Sequence, residues 1–234
     1  WDPGGRYLVY DHSAVLRGTY VFRELYVHDS KTGDRTQITQ GRRGRDPDVD
    51  HEGRRVVYIE NGQGRTRMAL WDLELKKRQV LITIPDGEFG QLDGPRFSPD
   101  GRYVAVSYWQ GGGTRDIWVY DLKSSALRKL SSDRALDLEP SFSPDGHHLI
   151  FSSDRSGFYD LYAMDVRGLE EVFSQEKGAC PMLAAGQENC AAADVPVFRI
   201  TRVQTGAFAP QVVQTQDGEY LYFLHYSSRG YDVA

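Results

Sequence analysis

The stretch Glu139–Phe151, which reads EPSFSPDGHHLIF, decides the fold of this chain. Its centre, Ser143-Pro144-Asp145-Gly146, suits a tight turn, because proline restricts φ, aspartate bonds to its own backbone and glycine accepts positive φ. The flanking segments are short, apolar and rich in strand formers. A second turn at Ser156-Gly157 leads to another apolar run, Asp160–Met164. The stretch therefore predicts three consecutive antiparallel strands.

The same pattern recurs along the chain at a nearly fixed interval. The turn glycines are Gly5, Gly53, Gly101, Gly146 and Gly218, so that only the last interval departs from a period between 45 and 48 residues. Segments that resemble a third and a fourth strand follow most copies of the turn. Four short strands in each repeat of this length are typical of one blade of a β-propeller. We therefore expect an all-β propeller built from four-stranded antiparallel blades.

The two ends of the chain fall inside repeats. Trp1 aligns with Phe142, and Asp232-Val233-Ala234 aligns with Asp160-Leu161-Tyr162. The pattern thus predicts three complete blades and two partial ones. We expect residues 1–234 to form a single, partial propeller domain that belongs to a larger ring.

Two of the repeated segments carry a resemblance to a known family. The turn Ser98–Arg102 (SPDGR) and the strand Asp116–Asp121 (DIWVYD) resemble the TolB-like β-propeller repeat, which also occurs in the propellers of prolyl-oligopeptidase-type serine peptidases. The resemblance implies a non-catalytic scaffold that binds a protein or peptide in the bacterial cell envelope, in the periplasm or at the outer membrane. The alternative is the substrate-gating propeller of such a peptidase, with its catalytic domain outside this chain. Tyr226–Ala234 also resembles TolB-type propellers that precede an outer-membrane barrel.

Composition narrows the classes of function. A net charge of −5 disfavours nucleic acid as the partner, and no apolar run is long enough to span a membrane. The sequence has no Gly-x-Ser-x-Gly motif for a hydrolase nucleophile. Its six histidines are scattered and form no metal-binding motif. We therefore expect no catalytic residues, no metal and no cofactor in this chain.

Strand order divides the loops between two faces. With strands A to D counted from the inside of a blade outward, the A–B and C–D turns lie on one face, here called the turn face. The B–C and D–A loops lie on the other, the loop face, which receives a long predicted loop over His12–Arg23. Asp46, Asp93 and Glu139, at the starts of inner strands, are expected to surround the mouth of the central channel. They are candidates for binding a partner, or else they cap backbone amides.

Aromatic residues supply further candidates on the loop face. Trp109, Phe158 and Tyr159 are expected in loops, where an exposed ring can anchor a partner; the alternative is that they cover blade edges. Arg155, in the Asp154-Arg155 pair that recurs in the family, is expected to fix its loop through a local ion pair, and a ligand-binding role is the alternative. These residues complete the set of partner-binding candidates.

The long interval before Gly218 indicates an insert of roughly residues 167–196 in one C–D turn. Leu169–Lys177 could form a short helix there. The two cysteines of the chain, Cys180 and Cys190, both lie in this insert, which favours a local disulfide over two free thiols. A disulfide would indicate an oxidising compartment such as the periplasm.

Overall fold

The computed structural model describes residues 2, 4–16, 18–62, 64–85, 90–174 and 195–234. In these ranges the chain forms strands β1–β18 and one short helix, α1, and the strands make five antiparallel sheets. This confirms the predicted β-propeller fold. We number the sheets as blades I to V in chain order.

Each strand pairs with its neighbour in the chain. Blade I consists of β1 (Tyr7–Leu16), β2 (Tyr20–Asp29) and β3 (Arg35–Gln37). Blade II consists of β4 (Gly44–Val49), β5 (Arg55–Gly62), β6 (Arg65–Asp72) and β7 (Lys77–Thr83). Blade III consists of β8 (Gln91–Phe97), β9 (Tyr103–Trp109), β10 (Arg115–Asp121) and β11 (Ala126–Lys129). Blade IV consists of β12 (Asp137–Phe142), β13 (His148–Ser153), β14 (Asp160–Asp165) and β15 (Val197–Arg199), with α1 (Leu169–Ser174) before β15. Blade V consists of β16 (Gly206–Thr215), β17 (Gly218–Ser227) and β18 (Gly230–Val233).

The A–B turns of blades I to IV share one pattern of hydrogen bonds. In blade IV the Ser143 N–H donates to the His148 carbonyl, and the Gly146 N–H donates back to the Ser143 carbonyl, both at 2.9 Å. The Ser143 hydroxyl also accepts the His148 N–H at 2.9 Å. The residues that play the part of Ser143 in the other three blades are Asp2, Asp50 and Ser98. A short polar side chain followed three residues later by a glycine at positive φ therefore defines the turn.

The turn of blade V is built differently from the copy expected from its sequence. Thr215 pairs directly with Gly218, which leaves a two-residue hairpin connection. Gly218 has a φ of 144°, whereas the turn glycines of blades I to IV have φ between 67° and 72°, so the backbone of blade V does not adopt their turn. Gly218 aligns with the turn glycines of blades I to IV, but the six-residue turn of those blades, as in Ser143–His148, is not formed.

The hydrophobic core lies between adjacent blades. Val57, Met68, Leu92 and Trp118 belong to the cluster that joins blades II and III, and Phe151 belongs to the cluster that joins blades III and IV. Smaller clusters join blade I to blade II and blade IV to blade V. Each large apolar side chain buried in this way contributes about 1.5–3 kcal/mol. The blades are thus held together as a continuous stack.

Strand C of each of three blades is also joined to the loop that follows strand D. A hydroxyl group accepts the backbone N–H of a buried strand residue at 2.9 Å in blades I, III and IV; the pairs are Thr39 with Leu25, Ser131 with Ile117, and Thr201 with Leu161. In blade IV the carboxylate of Asp160 accepts the Thr201 hydroxyl at 3.0 Å and the Val203 N–H at 2.8 Å. These contacts fix the base of the loop face.

The insert of blade IV begins with the predicted short helix, which is observed over Leu169–Ser174. Leu169 is buried, and Glu170 pairs with Arg102 of blade III at 2.9 Å. The ring of Phe173 stacks on Tyr103 with 5.5 Å between centroids. The helix therefore packs across the boundary between blades III and IV. Cys180 and Cys190 lie outside the described residues, so that their disulfide stays a prediction.

The segment His12–Arg23, predicted as a long loop, is mostly a hairpin. Strands β1 and β2 stay paired as far as Leu16 and Tyr20. The prediction was wrong because Tyr20, Val21 and Phe22 are strand formers that extend the ladder beyond the length seen in the other blades. In the described part of the chain, no helix has the length and apolar character needed to cross a membrane.

Candidate functional site

The inner strands share a distortion at the loop-face end of the central channel. Asp46, Gly94, Glu139 and Ala209 all adopt positive φ, between 49° and 56°, and each precedes a proline. The ladder register shifts at each of these positions, as in a β-bulge. The left-handed conformation is uncommon for aspartate, glutamate and alanine. The same backbone feature therefore recurs in blades II, III, IV and V at the channel mouth.

Two of the predicted acidic residues use these bulges to join neighbouring blades. The Asp46 carboxylate accepts the Gly94 N–H of blade III at 3.4 Å. The Glu139 carboxylate accepts the Ala209 N–H of blade V at 2.6 Å. Asp46 and Glu139 thus lie at the channel mouth as predicted, and the alternative reading, that they cap backbone amides, is the one their contacts match.

The third predicted acid, Asp93, is not at the equivalent position but one residue earlier. Its two carboxylate oxygens lie 2.5 Å from Arg45 of blade II and 2.5 Å from Arg115 of its own blade. Arg45 also pairs with Asp46. A compact group of two arginines and two aspartates therefore links blades II and III beside the mouth. Its charges balance within the group.

Arg155 is a structural residue of blade IV. Its guanidinium donates to both oxygens of the fully buried Asp137, at 3.0 and 3.1 Å, and lies over the ring of Tyr162 at 4.8 Å. Burial raises the pKa of Asp137, an effect that hydrogen bonds from serines and from Arg155 oppose. The ion pair expected for Arg155 is present, with Asp137 as its partner. Asp154 instead accepts the Leu136 N–H at 2.8 Å.

A row of aromatic rings lies across the boundary between blades IV and V; we call Tyr159, Phe208, Tyr226 and Tyr231 the aromatic row. The Tyr159 and Phe208 centroids are 4.9 Å apart, Phe208 and Tyr231 are 6.3 Å apart, and Tyr231 and Tyr226 are 5.0 Å apart. Tyr226 and Tyr231 are 46% and 64% exposed. Phe158, beside Tyr159 in the B–C loop, is 54% exposed. Rings in such an arrangement offer a broad, rigid contact area to a partner.

The aromatic row adjoins the charged groups of the channel mouth. Burial raises the pKa of the Tyr159 hydroxyl, and the neighbouring carboxylates of Asp154 and Glu139 raise it further, while Arg115 opposes them. Tyr159 is therefore a neutral hydrogen-bonding group at neutral pH, placed between the rings and the mouth. The loop face thus combines stacking surfaces with hydrogen-bond donors and acceptors.

Sequence reasoning placed Phe158 and Tyr159 in this loop but missed Phe208, Tyr226 and Tyr231. Phe208 starts an inner strand, and the two tyrosines flank the Ser227–Gly230 turn of blade V. A search for aromatic residues beside every B–C loop would have found the tyrosines. The expected loop position of Trp109 was wrong, because it is the last residue of β9 and pairs with Arg115 and Gln91. Trp109 is half-buried.

The channel itself contains a cavity of about 530 Å³ that extends toward the turn face. Its wall includes Asp48, Arg96 and several prolines of the inner strands and turns. Burial raises the pKa of Asp48, although the charge of Arg96 and the Phe97 N–H, which donates to Asp48 at 2.8 Å, oppose the change. Across the described ranges, no group of three or more His, Cys, Asp or Glu residues is arranged to hold a metal ion. The groups present can form hydrogen bonds, ion pairs and ring contacts.

The family and the proteins that this chain resembles contain the same propeller repeat. Residues 6–172 match the sequence profile of the TolB beta propeller domain. The chain is 26% identical over 146 residues to a protein TolB homolog of Chlorobium luteolum, covering 62% of this chain and 32% of the relative. It is 33% identical over 115 residues to a Tol-Pal system protein TolB of Anaeromyxobacter sp. (strain K), covering 49% of this chain and 25% of the relative. The chain therefore spans about a third or less of the curated relatives that it matches.

Solved structures show the same fold. TolB from Acinetobacter baumannii superposes with a TM-score of 0.70 at 22% identity, over 100% of this chain and 50% of that chain. A prolyl endopeptidase superposes with a TM-score of 0.60 at 13% identity, over 99% of this chain and 31% of that chain. The profile match extends over most of the repeats that define the blades, and on this ground the chain belongs to the TolB β-propeller domain family.

Proposed function

We propose that this chain is a non-catalytic propeller that binds a protein or peptide partner in the bacterial cell envelope, through its loop face. The observation that carries the proposal is the aromatic row beside the channel mouth. Exposed tyrosines and phenylalanines are enriched where proteins bind other proteins, because they bury a large area at a small entropic cost. The row lies on a rigid blade boundary, which suits it to present a fixed surface.

The contacts around the row favour recognition of a peptide. The half-buried rings of Tyr159 and Phe208 pack together, so that the rest of the row has a firm base. The more exposed rings of Phe158 and Tyr231 then offer their faces to a partner. Polar groups at the mouth, including the Tyr159 hydroxyl, can hydrogen-bond to a peptide backbone. Such a site needs neither a nucleophile nor a cofactor.

The cell-envelope location is inferred from the relatives. The Anaeromyxobacter relative is a Tol-Pal system protein. A periplasmic location would also suit the predicted disulfide between Cys180 and Cys190, because disulfides persist in oxidising compartments. Protein partners of this chain would then be other components of the envelope.

The experiment is a binding titration of the 234-residue chain against purified Tol-Pal components from a bacterium that carries a closely similar sequence. The variants are Phe158→Ser and Tyr231→Ser, whose exposed rings make folding defects small. If one of them is a hot spot, affinity falls by roughly thirtyfold, which corresponds to about 2 kcal/mol. Leu75→Ser is the matched control, since Leu75 is 64% exposed on the turn face. Equal binding by all four proteins would show that the loop-face row is not the site.

The second candidate is a propeller that gates the active site of a serine peptidase. The observation that favours it is the channel, whose cavity of about 530 Å³ could admit an extended peptide. The sequence that follows Ala234 in the complete gene distinguishes the two: a Gly-x-Ser-x-Gly elbow would support the peptidase. Under either proposal we expect the 234-residue chain alone to hydrolyse no peptide substrate.

A further inference from the structure

A second surface on the loop face lies on blades I and II, away from the aromatic row. It consists of the tip of the β1–β2 hairpin, the tip of the β5–β6 hairpin and the loop 40–43 between them. The Asn61 N–H at the end of the blade II hairpin donates to the Arg42 carbonyl at 3.1 Å. The Arg43 guanidinium lies 4.1 Å from the ring centroid of Phe22 on the blade I hairpin. These contacts make the three segments one continuous surface.

The surface is rich in arginine although the chain as a whole has a net charge of −5. It carries Arg23, Arg42, Arg43, Arg65 and Arg67. Asp11 pairs with Arg23 at 2.8 Å. Within the described part of the chain, no carboxylate lies at ion-pair distance from the guanidinium groups of Arg42 and Arg43, and both residues are exposed. We call this group of five residues the arginine surface.

Apolar side chains accompany the charges. Val15, Tyr20 and Val21 near the tip of the blade I hairpin are 67%, 58% and 63% exposed. The rings of Tyr20 and Phe22 stack in parallel with 6.0 Å between centroids. Val15 and Val21 are cross-strand partners on one face of this hairpin, whereas Tyr20 and Phe22 project from the other face, because successive strand residues alternate. Arg43 lies over Phe22, so the Tyr20–Phe22 face is the one beside the arginine. The surface therefore offers both cations and apolar contacts.

The shape of the surface favours a peptide over a flat membrane. The blade I hairpin has ten paired positions and the blade II hairpin has eight, starting from equivalent residues. Two further residues on each strand extend the blade I tip by roughly 7 Å. Arg42, which bonds to Asn61 at the end of the blade II hairpin, and Arg43, beside Phe22, thus lie in a recess below the tip of the longer blade I hairpin. A peptide side chain can enter that recess, whereas a lipid bilayer would meet the tip first.

We propose that the arginine surface binds an acidic protein segment that also contains apolar residues. Guanidinium groups bind carboxylates through paired hydrogen bonds, and apolar residues of the segment would pack against the rings of Tyr20 and Phe22 beside Arg43. This goes beyond the proposed function, because it concerns different blades and specifies the charge of the partner. It is independent of the aromatic row.

The test uses a fluorescent synthetic peptide in which Glu and Asp alternate with Leu and Phe, titrated against the 234-residue chain. We expect the Arg42→Gln/Arg43→Gln variant to bind at least about tenfold more weakly, since charges that contact a partner strongly affect its affinity. Tyr20→Ser should weaken binding by about fivefold through lost apolar contact, whereas Val15→Ser/Val21→Ser, on the other face of the hairpin, should change it by less than about twofold. Added salt should weaken binding to the wild type more than to the arginine variant.

Three controls make the outcome decisive. Arg54→Gln removes an arginine of blade II on the turn face and should leave affinity within about twofold of the wild type, because Arg54 lies away from the surface. Leu75→Ser, which removes an exposed apolar side chain of the turn face, should do the same and controls for the loss of an apolar side chain outside the surface. Arg42→Gln alone leaves Arg43, whose φ is 54°, unchanged and so avoids any strain there. Circular dichroism checks that each variant is folded.

Several results would overturn the proposal. One is the absence of peptide binding by the wild type, and another is equal binding after the arginine replacements. A peptide with Gln and Asn in place of Glu and Asp that binds equally well would show that the charges are not recognised. Vesicles containing phosphatidylglycerol that bind more tightly than the peptide, with the same dependence on Arg42 and Arg43, would assign the surface to lipid instead.

Discussion

The turn face and the loop face of this propeller differ in how much they vary from blade to blade. On the turn face, the A–B turns of blades I to IV repeat the same hydrogen bonds, and each C–D turn donates a backbone N–H to the neighbouring A–B turn at 2.8–3.0 Å. On the loop face, the B–C hairpins have ten, eight, seven and six paired positions in blades I to IV. The difference teaches that the A–B turns maintain the blade, whereas the B–C hairpins are free to diversify for binding.

The largest expected effect is a loss of stability on the turn face. The carboxylate of Asp50 accepts the N–H groups of Arg54 and Arg55 at 2.7 and 3.0 Å and pairs with the Arg55 side chain at 2.6 Å. Asp50→Ala should lower the free energy of unfolding by about 3 kcal/mol, because it removes two hydrogen bonds to the turn backbone and the partner of the partly buried Arg55 guanidinium. Urea unfolding monitored by tryptophan fluorescence measures the change.

The chain supplies the matched control for this variant. Ser98 and Ser143 occupy the same position in blades III and IV and accept the equivalent N–H. Asp50→Ser should therefore cost only about 1–2 kcal/mol, since it keeps one of the hydrogen bonds. If serine were as destabilising as alanine, the turns would not be interchangeable and the comparison between the faces would lose its basis.

A smaller, pH-dependent effect is expected at the base of the loop face. Burial disfavours the charged form of Asp160, but hydrogen bonds from Val203, Thr201, Ser156 and Arg199 outweigh it and lower the pKa. A lowered pKa in the folded state stabilises the protein above the pKa of an unfolded aspartate, about 3.9, and the contribution is lost as the pH falls through the folded value. Asp160→Asn should therefore cost about 2 kcal/mol at pH 7 and clearly less at pH 3.

The measurement compares urea midpoints of the wild type and Asp160→Asn at both pH values. Taking the difference between the wild type and the variant cancels the contributions of other aspartates. Among these, Asp48 and Asp116 have raised pKa values, which change stability with pH in the opposite direction. A difference that does not change with pH would mean that the Asp160 charge does not hold the loop base.

The smallest effect on the blades is expected from the predicted disulfide. Thiol titration of the unfolded, unreduced protein should find no free cysteine, since Cys180 and Cys190 are expected to be bonded. Reduction should lower the unfolding free energy of the blades by less than about 1 kcal/mol, because Cys180 and Cys190 follow α1 in the sequence and the described strand ladders do not include them. Two reactive thiols in the unreduced protein would refute the pairing.

The sequence predicted the fold well because its signals are local. Ser143-Pro144-Asp145-Gly146 fixes a turn through residues within the same six positions, and the period repeats that information in each blade. The candidate site was harder to predict because its contacts are not local. Asp93 meets an arginine from another blade, and Tyr159 packs on Phe208, which is 49 positions later in the chain. Spacing along the sequence does not reveal which side chains meet across a blade boundary.

Two errors have definite physical causes. The hairpin over His12–Arg23 was predicted as a loop because the other blades turn earlier, whereas its own residues continue the ladder. The blade V turn was predicted from its Asp217-Gly218 pair, but Thr215 pairs directly with Gly218 in a two-residue connection. In both cases the prediction followed the repeat at positions where the local sequence differs from it.

The bulges of the inner strands make the channel mouth a set of interchangeable positions. Aspartate, glycine, glutamate and alanine occupy the same left-handed conformation at 46, 94, 139 and 209, so the backbone does not depend on the side chain. A Cβ added at Gly94 would lie 3.8 Å from the Glu139 Cα and 4.0 Å from the Pro140 Cδ, which is ordinary contact. A protein engineer could therefore place a charge at Ala209, or at Gly94 at the cost of its left-handed backbone strain, while keeping the Asp46 and Glu139 carboxylates that join neighbouring blades.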